Sequence, residues 1–120
     1  MELETIRYDV REGVAHIRFA RPEEANAVNP IFSRDFRAVM LAVEFDNAVK
    51  AVSVTAEGPV FCAGGDLKAF HAAGEDLPKL ASDMLIDFHG AIYKMNRTPK
   101  PFVAGVSRAM KKALPRGSLA

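Results

Sequence analysis

The sequence predicts an α/β domain, and three observations carry that expectation. Two runs of alternating apolar and polar residues flank a Glu12-Gly13 turn. Two short β-branched runs lie at 49–55 and 102–106, and the stretches between the runs repeat apolar residues at helical spacing. The order β-β-α-β-(α)-α-β implies right-handed crossovers between parallel strands. In such sheets ligands gather at the carboxyl ends of the strands.

Each element has a local reason. In residues 5–20, Ile6, Tyr8 and Val10 share one face, and Ala15, Ile17 and Phe19 resume the alternation after the turn. Arg21-Pro22-Glu23-Glu24-Ala25-Asn26 breaks the pattern and reads as a loop. Asn29 before Pro30 is a helix start, an Asn cap with proline at the first helical position. Ile31, Phe32, Phe36, Val39, Met40 and Val43 then form an apolar stripe with a period near 3.6, ending at Asp46-Asn47. Residues 49–55 read as a buried strand. Asp66 to Ala73 follows as a helical turn with Asp66 as its cap, and 74–78 reads as a polar, mobile connection. Leu85, Phe88, Ile92 and Met95 mark a second amphipathic helix from about 81 to 96. Gly90 either weakens that helix or lets a neighbour pack closely. Thr98-Pro99-Lys100-Pro101 stops it before the strand at 102–106.

Composition narrows the class. A chain of 120 residues with 49% hydrophobic and 26% charged residues holds at most one domain with a single modest core. No apolar run approaches the roughly 18 residues of a membrane span. The acidic Met1-Glu2-Leu3-Glu4 start lacks a signal-like apolar stretch, so a cytoplasmic protein is expected. Cys62 stands alone, which excludes an internal disulfide framework and a cysteine-based metal cluster, and no metal site is expected. The net charge of +1 conceals an asymmetry. Residues 1–87 carry 9 Lys/Arg against 15 Asp/Glu, whereas 88–120 carry 7 Lys/Arg and no carboxylate side chain. Without interleaved aromatics that basic end does not point to nucleic acid.

The chemistry concentrates in Pro59-Val60-Phe61-Cys62-Ala63-Gly64-Gly65-Asp66-Leu67. Small residues at Ala63, Gly64 and Gly65 let a ligand approach the main chain, whose N–H groups can stabilise a developing negative charge. That is the physics of an oxyanion hole and points to chemistry on a carbonyl. Other reactive types read more plainly. Cys62 is a small packing residue, His71 and His89 are surface or packing histidines, His16 is exposed, and Tyr93 belongs to the core side of its helix.

Three ordered motifs resemble one family. Arg21-Pro22-Glu23-Glu24-Ala25-Asn26-Ala27-Val28 is similar to the RPxxxNAL signature of the enoyl-CoA hydratase/isomerase (crotonase) superfamily. Phe61-Cys62-Ala63-Gly64-Gly65-Asp66-Leu67 resembles its FxAGxDL signature, and Lys100 to Val106 its KPxIAAV strand. The resemblance implies a crotonase-like ββα spiral fold, represented by its N-terminal part over 5–106 and followed by a divergent basic tail at 107–120. It implies an acyl-coenzyme A thioester as substrate, with coenzyme A as part of that substrate and no covalently bound cofactor. The Gly65 N–H would be the oxyanion donor. Ala63, Gly64, Asp66 and Leu67, with Ala25, Ala27 and Val28, would line the coenzyme A path.

Departures from the pattern carry their own expectations. The family often places Lys or Arg after RPE to approach the coenzyme A phosphates, where this chain has Glu24-Ala25, leaving Arg21 as the cation able to compensate. The turn after 102–106 lacks the family's second glycine-rich oxyanion segment, and no glutamate follows it. The expectation is therefore a chain with little or no hydratase activity by itself, associating with itself or with a missing C-terminal half. A non-catalytic acyl-CoA-binding or subunit-interaction fragment is the alternative.

Overall fold

The computed structural model describes residues 1–105. Val106 and the expected basic tail at 107–120 lie outside the described residues, as does the divergent turn. Strands β1 (Ile6–Arg11) and β2 (Val14–Phe19) form the hairpin, with Ile6 opposite Phe19 and Arg11 opposite Val14. Glu12 and Gly13 both take positive φ, 51° and 79°, as a two-residue hairpin turn of this hand requires. Strands β3 (Ala51–Ala56) and β4 (Phe102–Ala104) add in parallel, so the sheet runs β1-β2-β3-β4 and is mixed.

Helices lie against the inner face of this sheet. Helix α1 (Pro30–Phe45) starts at Asn29, whose side chain accepts from the Phe32 N–H at 2.8 Å, as its sequence predicts. Its apolar stripe is buried against Ala15, Ile17, Phe19 and Val52. Phe19 meets the Phe32 ring at 5.0 Å and the Phe61 ring at 5.2 Å, which joins hairpin, helix and loop stem in one aromatic cluster. Asp35 is buried on the same helix, and its Oδ2 accepts from the Glu4 and Thr5 N–H groups and the Thr5 hydroxyl. That carboxylate anchors the chain just before β1.

The second half departs from expectation in several places. Residues 74–78 are no open connection: Gly74–Asp76 forms a 3-10 turn that runs straight into helix α3 (Leu77–Arg97). Helix α3 thus begins well before 81, because Pro78 in the first turn gives up an N–H that has no intrahelical partner. The core face of α3 is Met84, Phe88, Ala91, Ile92 and Met95, whereas Leu85 is 43% exposed. Tyr93 is 56% exposed and lies under the Arg97 guanidinium at 5.0 Å, so it is not a core residue. A Cβ built at Gly90 would meet nothing within 4 Å, so close packing does not explain that glycine.

Helix α3 is held to α1 by Phe36 against Phe88, with ring centroids 6.0 Å apart, and by Lys94 with Glu44 at 2.8 Å. The Lys100 ammonium reaches back from the start of β4 to the last turn of α1. It donates to the Val43 carbonyl and, at 2.7 Å, to that of Asp46. No described helix is long and apolar enough to cross a membrane.

Candidate oxyanion loop

The glycine-rich loop leaves the carboxyl end of β3, the position where open α/β sheets collect ligands. Two segments far apart in sequence meet there, and Asn26 is the knot between them. Its backbone is left-handed, φ 53°, a conformation asparagine tolerates well. Its side chain is fully buried. The Nδ2 group donates to the carbonyls of Glu57 (2.9 Å) and Val60 (2.8 Å), and Oδ1 accepts from the Arg21 N–H at 2.8 Å. The Asn26 N–H donates in turn to the Arg21 carbonyl. One side chain thereby clamps the exit of β3 to the loop at 21–28.

A single parallel bridge between Val28 and Gly65 completes the junction. The Val28 N–H donates to Gly64 O (2.6 Å), and the Asp66 N–H donates to Val28 O (2.8 Å). In such a bridge the flanking residues make the hydrogen bonds, so the N–H of Gly65 points away from Val28. That N–H has no hydrogen-bond acceptor among the described residues, and Gly65 is exposed. A Cβ at Gly65 would lie 2.8 Å from Cε2 of Phe70, so a larger residue there would have to displace that ring. Gly64 has φ +87°, a conformation open to glycine at little cost.

The other candidate residues fall into distinct groups. The Ala63 N–H donates to Ala25 O, and the Ala27 N–H to Glu24 O, so these amides are engaged within the protein. Ala27 and Val28 are buried, whereas Ala63 and Gly64 are exposed and Leu67 is 77% exposed. The Asp66 carboxylate caps helix α2 (Leu67–Ala73), accepting from the Ala69 N–H at 3.1 Å. It also pairs with Arg21 at 3.1 Å, with both side chains largely shielded from solvent. Burial works against ionisation of Asp66, yet the Ala69 N–H and the Arg21 guanidinium hold its carboxyl below the ordinary aspartate value.

Arg21 therefore faces inward, and the expected compensating contact to a phosphate is not what its side chain makes. Its Nη1 donates to Ala27 O and its Nη2 to Asp66. The cation at the loop surface is Lys68, 3.3 Å from Glu24. No periodicity or local cap flags this arrangement, because Arg21 and Asp66 are 45 residues apart. His71 and His89 are exposed, in keeping with their plain readings, whereas Cys62 is a free, exposed thiol rather than a packing residue and His16 is half-buried rather than fully exposed. Beneath the loop stem lies an apolar cavity of about 300 Å³, bounded by Phe61, Cys62, Val54, Phe88, Ile92 and Ala104 among others. Among the described residues no cluster of side chains could hold a metal ion.

The mixed sheet with its crossover helices has the crotonase-like fold of solved enoyl-CoA hydratase/isomerase structures. Residues 9–110 match the family described as Enoyl-CoA hydratase/isomerase, and the chain belongs to that family. A "Probable enoyl-CoA hydratase" of Rhodobacter capsulatus is 32% identical over 109 residues, covering 91% of this chain and 40% of that protein. The trans-2-decenoyl-(acyl-carrier-protein) isomerase of Streptococcus mutans is 32% identical over 117 residues, covering 94% and 43%. The crystal structure of an enoyl-CoA hydratase from Polaromonas sp. JS666 superposes with a TM-score of 0.75 at 27% identity, over 85% of this chain and 40% of that one. The chain thus spans about 40% of the length of the curated relatives it matches.

Proposed function

We propose that this chain supplies the carbonyl-polarising part of an acyl-CoA site, with the Gly65 N–H donating to the thioester oxygen. The outward Gly65 N–H, which meets no acceptor among the described residues, is the observation that carries the reading. An N–H aimed at a thioester oxygen stabilises the enolate-like charge that forms when the α-carbon or β-carbon reacts, and losing one such donor typically lowers a rate by about 10² to 10³. Ala25, Ala27, Val28, Ala63, Gly64, Asp66 and Leu67 frame the coenzyme A path, the buried members by shaping the loops and the exposed ones by direct contact. Lys68 brings a cation to the loop where Glu24-Ala25 lacks one. A cytoplasmic setting accords with the reading.

Proton transfer requires an acid–base group, and the carboxylate beside Gly65 is engaged with Arg21 and the α2 cap. The reading is accordingly one of binding and polarisation, with hydration or double-bond shift completed by groups outside residues 1–105. Titration calorimetry of the protein with crotonyl-CoA and with free coenzyme A tests it. Saturable binding of the thioester, tighter than that of free coenzyme A, is expected, and hydration should not exceed the buffer rate. No binding, or turnover at an ordinary enzymatic rate, would overturn it.

A second reading, association through exposed apolar surface, rests on Leu67, Ile86, Tyr93 and Val103, all more than half exposed. Sedimentation velocity distinguishes a monomer from a concentration-dependent assembly.

A further inference from the structure

The loop that presents Gly65 is a single bridge wide, so something beyond that bridge must hold it. The Arg21 fork grips both sides of the bridge at once: Nη1 on the Ala27 carbonyl, one residue before Val28, and Nη2 on the Asp66 carboxylate, one residue after Gly65. Asp66 passes the restraint on through its two ends. Its N–H is bonded to Val28 O, and its Oδ1 accepts from the Ala69 N–H of α2. The Arg21 main chain is itself fixed by Asn26, whose amide reaches Glu57 and Val60 at the exit of β3. Arg21 side chain, Ala27–Val28, Gly64–Asp66 and back to Arg21 form a closed ring of hydrogen bonds around Gly65.

We infer that Arg21 and Asp66 are positioning residues that fix the direction of the Gly65 N–H, an inference that rests on the acyl-thioester reading for its functional meaning. The planar guanidinium suits this task because two donors leave it at a fixed angle, whereas an ammonium offers a point charge. The pair is shielded, with side-chain exposures of 13% and 8%, so water competes weakly for either partner. Preorganised donors matter most where a misdirected N–H has no chance to reorient during the reaction.

The test uses the 120-residue protein and the variants Asp66→Asn, Arg21→Lys and Arg21→Met. Asp66→Asn keeps a helix cap but removes the charge, and Arg21→Lys keeps the charge but removes the fork. Amide NMR of the unliganded protein reads the loop directly. The Gly65 resonance should shift or broaden in every variant, and the Val28 and Asp66 amides should exchange about tenfold faster while Ile17 in β2 stays protected. The infrared band of carbonyl-labelled crotonyl-CoA at saturating protein reads polarisation. The displacement of that band from its free position should fall by at least half in Asp66→Asn and Arg21→Lys.

A role confined to stability would lower the melting temperature and leave the saturated band in place. Folded variants that keep the Gly65 resonance, the amide exchange and the full band displacement would overturn the inference. If the parent protein bound no thioester, the acyl-CoA reading would fall, and the amide measurements would still decide whether the pair directs Gly65. If Arg21→Met failed to fold, the two conservative variants would carry the decision.

Discussion

Helices α1 and α3 lie against one sheet, and the contrast between them describes the molecule. Helix α1 has 16 residues and buries seven of them, including Phe32, Phe36, Val39, Met40 and Val43. Helix α3 is longer, at 21 residues, and buries only Met84 and Ala91. Phe88, Ile92 and Met95 on α3 instead border the apolar cavity and are half-buried. Length and amphipathic pattern therefore do not measure how firmly a helix is held. What matters is the amount of complementary surface opposite it. The hairpin and α1 supply that surface to each other, and the side of α3 facing the loop stem is only partly filled by the described residues.

Truncating one phenylalanine on each helix gives the largest test of that contrast. Phe36→Ala should cost about 3–5 kcal/mol, the usual range for a buried aromatic. Phe88→Ala, on the rim of an existing void, should cost less than half as much. Urea unfolding of both variants measures the difference, and equal losses would mean that α3 is packed as firmly as α1. Asn26→Ala should follow, at about 3 kcal/mol, because it leaves the carbonyls of Glu57 and Val60 and the Arg21 N–H without their partner. A loss below about 1 kcal/mol would show that the loop junction is held by packing rather than by this polar knot.

The acid limb of stability sharpens the comparison at the seam between the two sides. Asp66 has a folded-state value below its unfolded one, so its contribution is complete above the ordinary carboxylate range. It disappears as pH falls through the folded value. Thermal melts between pH 5 and pH 2 should therefore show a shallower acid decline in Asp66→Asn than in the parent. Parallel declines would remove Asp66 from the acid response.

The smallest effect belongs to α3 alone. Gly90→Ala should raise stability by up to about 1 kcal/mol, since the added methyl meets no neighbour and the helix gains a better former. A destabilised variant would place a partner against that face.

The hairpin, the Asn29 cap, the α1 stripe and the Asp66 cap were all legible because each is decided within a few residues of chain. The start of α3 was misread because Pro78 looks like a breaker until it is placed in a first turn. Leu85, which marks the helix by its spacing, and Tyr93, read as a core-side residue, both lie outside the core, because 3.6-residue spacing identifies a stripe without saying which of two adjacent stripes meets the sheet. Met84 and Ala91 occupy the core side instead. In the loop, the tight glycine-rich turn at 63–65 was legible, whereas the inward turn of Arg21 was not. That turn depends on a carboxylate which only the folded sheet brings within 3.1 Å.

The lysine at the start of β4 carries a last consequence. Lys100 donates to two carbonyls at the end of α1, which ties its nitrogen into the protein and restricts a reagent's approach to it. Lys68, by contrast, has a side chain 83% exposed and, among the described residues, pairs only with Glu24. Amine-acylating reagents, thioesters among them, should therefore mark these two lysines at very different rates. The modification pattern of the intact protein would report whether α1 and β4 remain joined, a chemical footprint written by helix capping.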